Sequence, residues 1–156
     1  MHMKDYKSFA LVSVVALVVL CISFVLTTSR VHAPVMAIDA QTPLTFEIVR
    51  TPETWSRGLG GRTSVPQGYG MLFVFPKKDT YSFWMKDMVV PIDIVWLSDD
   101  GTIVGIEDSV APETYPDTTF TAPEPVRLVL EVRAGESRAR GYQVGSKIAL
   151  PDSWRK

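Results

Sequence analysis

The spacing of apolar residues changes several times along the chain, and each change predicts an element. Residues 9–26, FALVSVVALVVLCISFVL, run 18 positions without a charge, enough for a membrane-spanning helix. From Leu44 the pattern shortens. "LTFEIVRT" alternates and is β-branched, which predicts a first strand. "TPETWSRGLGG" predicts a short helix with Thr51 as N-cap, Pro52 at its first position and Glu53 in its first turn. Gly58, Gly60 and Gly61 end it.

"GMLFVF" (70–75) is apolar on both faces and predicts a buried strand. "YSFWMK" and "PIDIVWL" predict two more. Asp99-Asp100-Gly101 signals a hairpin from which "TIVGIE" returns. Prolines 112, 116, 123 and 125 mark an irregular crossing. "VRLVLEVR" predicts a strand with Leu128, Leu130 and Val132 on one face. "AGESRARGY" holds a short helix, and "SKIALP" predicts a last strand.

Six or seven strands with one or two short helices predict an α+β, mostly β domain. The expected architecture is a small curled antiparallel sheet or barrel-like roll, behind an N-terminal transmembrane helix. The organisation is a cytoplasmic N-terminus (1–8), an anchor or signal segment (9–26), a tether (27–43), an extracytoplasmic β-rich domain (44–151) and a C-terminal tail (152–156).

Lys4 and Lys7 precede the apolar run. They place the N-terminus inside and the domain outside a cytoplasmic membrane that the chain crosses once. A cleaved signal peptide has an apolar region of about 7–15 residues. The longer run here reads as a retained anchor, and cleavage after Ala37 or Ala40 is the alternative. Both readings export the domain.

Charge and reactive side chains narrow the chemistry. Lys+Arg number 16 and Asp+Glu 17, so the chain lacks the basic excess of a nucleic-acid binder. The single cysteine, Cys21, lies in the apolar run, and the histidines are His2 and His32. The exported domain therefore has no disulfide, no histidine general base and no zinc ligand set. No dinucleotide fingerprint is present, and no cofactor is expected. Residues 99–124 carry seven acids and no Lys or Arg, whereas residues 126–156 carry seven Lys/Arg and three acids. Two solvated surfaces explain this, with a weak cation site or partner surface as the alternative.

The segment "FWMKDMVVPIDIVW" (83–96) places Lys86, Asp87 and Asp93 among apolar residues. As a strand, "FWMKD" sets Phe83, Met85 and Asp87 on one face and Trp84 and Lys86 on the other. Trp84 offers a stacking surface and Lys86 a cation, to a sugar or an anion. The structural alternative makes Trp84 core and has Lys86 snorkel out to solvent or pair with Asp87, Asp93 or Glu131. Asp87 and Asp93 are the pair here suited to acid–base work, which in glycoside hydrolysis needs carboxyls roughly 5–9.5 Å apart. The alternative has Asp93 capping a turn or bracing Arg57 or Arg62. Those arginines flank a glycine-rich turn and suit either an anion or an internal salt bridge. Met71, Met85 and Met88 near Trp84 have the softness for Cu(I), but read as core filler.

Three blocks now carry a resemblance: "RGLGGRTSVPQGYGMLFVFP", "FWMKDMVVPIDIVWLSDDGTIVGI" and "LVLEVRAGESRARGYQVGSKI". Over about residues 46–150 the chain closely resembles the family called domain of unknown function 192. The resemblance implies a compact β-rich domain, frequently behind a signal peptide or single anchor. It implies no established activity. Two departures stand out. Members read "RGLM" where this chain has Gly60-Gly61 after Leu59, which should loosen the helix end. Members read "FWMKN" where this chain has Asp87, which replaces a donor and acceptor by an acceptor alone.

The resulting expectation is a membrane-anchored domain that binds an envelope glycan, a small anion or a membrane protein partner. Trp84 stacks, Lys86, Arg57 and Arg62 supply positive charge, and Asp87 and Asp93 orient them. The alternatives are a cell-envelope hydrolase using the two aspartates, or a structural accessory domain.

Overall fold

The structure, a computed structural model, describes residues 43–156. The expected anchor at 9–26 and nearly all of the tether lie outside these residues. Among the described residues no helix is long and apolar enough to cross a membrane.

The chain opens with β1 (Thr45–Val49) and the helix α1 (Pro52–Arg57). Thr51 and Thr54 cap α1 reciprocally: Thr54 N–H donates to Thr51 Oγ1 at 3.4 Å, and Thr51 N–H to Thr54 Oγ1 at 3.1 Å. With Pro52 at the first position, the local signals suffice to start this helix where expected. There follow β2 (Tyr69–Asp79), β3 (Ser82–Phe83), β4 (Ile92–Leu97), β5 (Ile103–Val110), β6 (Phe120–Thr121) and β7 (Val126–Arg133). A four-residue helix α2 (Glu136–Ala139) and a 3-10 turn at Asp152–Arg155 complete the fold.

Five strands form one sheet in the order β1-β2-β7-β4-β5, and β3 pairs with β6 in a separate two-stranded ribbon. The large sheet is open and mixed, not an antiparallel roll. The pairs β2–β7, β7–β4 and β4–β5 are antiparallel, but β1 runs parallel to β2. Such a pair requires a crossover, and α1 with its following turns supplies it.

Both faces of the sheet are covered. One face presents Met71, Phe73, Ile94, Trp96 and Val129 to α1 and the β3–β6 ribbon. The other presents Leu72, Val95, Leu128, Leu130 and Val132 to the C-terminal segment through Ile148 and Trp154. Double coverage explains why the central strands read as continuous apolar runs.

Three expectations need correction. The strand over "YSFWMK" stops at Phe83, because residues 85–88 turn sharply, with Met88 N–H donating to Met85 C=O at 3.1 Å. The strand over "SKIALP" reduces to one bridge, Thr102 to Lys147. The tail is part of the fold: Trp154 is buried, Arg127 and Arg155 stack on its ring at 5.5 and 4.7 Å, and Arg50 donates to Ser153 C=O at 2.6 Å.

Asp93 is fully buried in β4 and accepts three backbone N–H groups: Ser109 at 2.8 Å, Gly135 at 2.9 Å and Ser137 at 2.9 Å. It caps α2 from a neighbouring strand and fixes Ser109, whose φ of 54° is left-handed. This answers the desolvation of its charge. It braces neither Arg57 nor Arg62. The acidic and basic stretches also meet within the fold, through Lys147–Asp100 at 2.8 Å and the Arg138–Asp108 pair.

Asp93→Asn should turn an amide N–H₂ or a weaker carbonyl toward these donors and cost about 2–4 kcal/mol. A urea denaturation curve checks this. An unchanged midpoint would remove Asp93 from its bracing role.

Candidate functional site

The face of the sheet under α1 and the β3–β6 ribbon holds an open cleft of about 140 Å³. Its position follows from local structure. α1 is only 6 residues long, so it covers part of the sheet and ends at Gly58 above Phe73. The turn at 85–88 approaches from the other side and meets the glycine turn, Gly61 N–H donating to Asp87 C=O at 2.8 Å. The aromatic groups of Trp55, Phe75, Tyr81, Phe83 and Trp84 line the space between. Phe75 stacks on Tyr81 at 3.7 Å and packs against Trp55 at 4.8 Å, and Phe73 meets Phe83 edge-on at 5.0 Å. These ring contacts form the walls of the cleft.

At the rim Trp84 is 46% exposed, too open for the core position considered for it. Lys86 and Arg57 are exposed, line the same cleft and form no ion pair among the described residues. The cleft thus carries two cations without a close ion pair beside a stacking surface, Arg57 also acting on Glu47 at longer range.

Glu131 lies at the floor. It is 5% exposed and Oε2 has no hydrogen-bond partner. Its strand neighbours across the sheet are Met71 and Ile94, both apolar. A β-carbon placed on Gly58 would come within 3.6 Å of Oε2 and 3.4 Å of the Phe73 ring. With φ at 48°, Gly58 adopts a backbone that other residues resist, and it keeps the floor open. Burial pushes the Glu131 carboxyl up to about 8, and the charge of Arg62 opposes that only in part.

The other expected residues go elsewhere. Arg62 belongs to a network on the β1–β2 pair, donating to Glu47 at 2.8 Å and to the Tyr69 hydroxyl at 2.8 Å, while that hydroxyl donates to Glu47. The bonds from Tyr69 and Arg62 hold Glu47 below the usual carboxylate range, and burial first, then Glu47, pushes Tyr69 up to about 12. This is the internal salt bridge weighed for the arginines, made by Arg62 and not by Arg57.

Asp87 is exposed at the turn with φ 59°, and its side chain neither bonds Lys86 nor lines the cleft. Left-handed backbone favours Asn and tolerates Asp. Conformation therefore accounts for both residue types at this position. The glycine turn is not loosened either. Gly60 N–H donates to Arg57 C=O at 2.9 Å, and a β-carbon at Gly60 would meet that same oxygen at 2.9 Å.

Asp93 is on the opposite face of the sheet from the cleft. β4 and β7 pair Asp93 with Val132 and Ile94 with Glu131, so one position of register separates the two carboxyls. With both Asp93 oxygens accepting backbone N–H groups, Asp87 and Asp93 do not form an acid–base pair. The sequence reading considered Glu131 only as a partner for Lys86. The signal was an acid within "VRLVLEVR", out of phase with Leu128, Leu130 and Val132.

The DUF192 family model, described as "Uncharacterized ACR", matches residues 35–150. A candidate transcription regulator of Sinorhizobium meliloti 1021 is similar in structure, with TM-score 0.63, 32% identity, and 67% of this chain and 79% of that chain covered. A protein of unknown function from Novosphingobium aromaticivorans DSM 12444 is similar at TM-score 0.64 and 30% identity, covering 69% of this chain and 75% of that one. No curated protein matches the chain.

Two outcomes follow from these environments. Asp87→Val should cost about 1–2 kcal/mol through left-handed strain, whereas Asp87→Asn should be neutral in the same denaturation assay. Glu131 holds its proton more tightly folded than unfolded, so its contribution to stability is complete below its ordinary value of 4.5 and is lost as pH rises toward about 8. Midpoints measured from about pH 4 to 9 should show this decline, and Glu131→Gln should flatten it.

Proposed function

We propose, from the premise that this chain belongs to the DUF192 family, that its domain is a binding module rather than an enzyme. The cleft takes one ring-sized group of an envelope ligand, a glycan residue or a small anion with an apolar body. The observation that carries this reading is the cleft itself. An exposed indole and two unpaired cations stand around a preformed aromatic space of about 140 Å³. A cavity near 150 Å³ accommodates a benzene-sized ring, whereas sites for drug-sized molecules measure about 300–1,000 Å³. The match is therefore to one ring or to the end of a longer chain. Trp84 stacks on that ring, and Lys86 and Arg57 attract its charge.

Turnover finds less support. Among the described residues of the cleft, Glu131 is the one carboxyl, and hydrolysis by paired carboxyls needs two. Nucleic-acid binding also finds less support, since 16 Lys+Arg against 17 Asp+Glu provide no phosphate-binding surplus. The apolar run at 9–26, preceded by Lys4 and Lys7, supports placing the module outside the cytoplasmic membrane, where envelope glycans are within reach.

The test is a titration of the full chain, followed by tryptophan fluorescence, with glucose, N-acetylglucosamine, glucuronate and benzoate. At least one should bind in the micromolar to millimolar range, and Trp84→Ala should weaken it about tenfold without shifting the urea midpoint. No saturable change with any of the four would overturn the proposal.

A further inference from the structure

Glu131 is hard to explain as a structural residue. Its Oε2 lacks a partner, and the side chain lies between Met71 and Ile94 at the floor of the cleft. A buried polar atom left without a hydrogen bond destabilises a fold. A leucine in its place would fill the same position without that penalty. The other buried acids each have donors for at least one oxygen. Asp93 receives three backbone N–H groups, and Glu136, whose Oε2 also lacks a hydrogen bond, pairs through Oε1 with Arg140 at 2.7 Å and accepts Gly68 N–H at 3.2 Å. Glu131 also lines the cleft.

The charges around it point to the missing partner. α1 presents Arg57, the turn at 85–88 presents Lys86, and the approach to β3 presents Tyr81, all lining the cleft. Arg62 acts from beyond α1, with its charge shared by Glu47. Arg133 follows two positions along β7, on the same face by strand alternation. β2 and β4 present the apolar Met71, Phe73 and Ile94. Beyond these apolar neighbours, in the same row of the sheet, β1 carries Glu47 and β5 carries Glu107, so the surroundings are cationic at the rim of the cleft, apolar at its floor and acidic only on the outer strands. A cationic ligand would meet repulsion from Arg57 and Lys86 on entry. An anionic one would be drawn in, and would reach a carboxyl able to donate a hydrogen bond.

We infer that the cleft recognises a carboxylate borne on a six-membered ring, and that Glu131 donates its carboxyl proton to that carboxylate in a hydrogen bond while Arg57 and Lys86 flank it. No covalent bond forms and no proton leaves the pair. Burial favours the neutral carboxyl of Glu131 at pH 7. An O–H to carboxylate bond in an apolar setting is among the stronger hydrogen bonds. Above about pH 8 Glu131 ionises, the donor is lost and two like charges face each other. Affinity must then fall with rising pH. The inference rests on the binding reading above and adds the ligand's charge and its partner.

The experiment titrates the full chain between pH 6 and 9 with two matched probe pairs, glucuronate against glucose and benzoate against benzyl alcohol. The carboxylate member of a pair should bind at least tenfold more tightly at pH 6. Its affinity should drop about tenfold by pH 9, one proton being lost per site. Preference for glucuronate identifies an acidic sugar, and preference for benzoate an aromatic acid. Glu131→Gln keeps an N–H donor without titrating, so its profile should be flat. Glu131→Leu, which should fold at least as stably, should lose the carboxylate preference by about tenfold at pH 6. Binding of neutral and acidic members alike, or a pH profile unchanged in Glu131→Gln, would overturn the role of Glu131 and leave the ring-binding cleft standing. Binding of none of the four probes at any pH would overturn both.

Discussion

The antiparallel ladder between β4 and β7 sets Ile94 opposite Glu131 and Asp93 opposite Val132. Neighbouring positions on a strand face opposite ways. This one register therefore sends Asp93 to one side of the sheet and Glu131 to the other. Asp93 meets the backbone N–H groups of Ser109, Gly135 and Ser137 and ties α2 and the end of β5 to the sheet. Glu131 meets apolar neighbours and open space. A slip of one residue would exchange these environments and expose an apolar face. Both the bracing of the domain and the cleft depend on it.

The cleft exists because its cover is incomplete. A helix of 6 residues cannot span a sheet whose strands β5 and β7 reach 8 residues. The turn at 85–88 closes part of the remainder through the Gly61–Asp87 backbone bond. What stays open is walled by aromatic rings that pack on one another, so the space is held without a ligand. The two left-handed positions beside it, Gly58 and Asp87, are where the backbone bends to leave that opening.

Three buried acids in one small domain illustrate how differently a carboxyl can be accommodated. Asp93 is satisfied by backbone donors, Glu136 through one of its oxygens by Arg140 and Gly68 N–H, and Glu131 by neither. The first two have evident structural work. The third has a cost without a structural return, beside two cations that also lack partners. Stability given up at one position is a common mark of a functional one.

Much of this was legible along the chain. The start of α1 is local, since Thr51, Pro52 and the capping geometry lie within four residues. The buried strands announce themselves because both faces are covered, which leaves continuous apolar runs. Trp84, Lys86 and Arg57 were legible as a stacking group and cations, because their chemistry does not depend on context. Tertiary structure alone decided which of them share a cleft, since strand register and the turn at 85–88 arise from contacts far apart in sequence. Asp93 and Glu131 are both acids in apolar strands, and composition treats them alike. Only the pairing of β4 with β7 gives one of them donors and leaves the other facing a cavity.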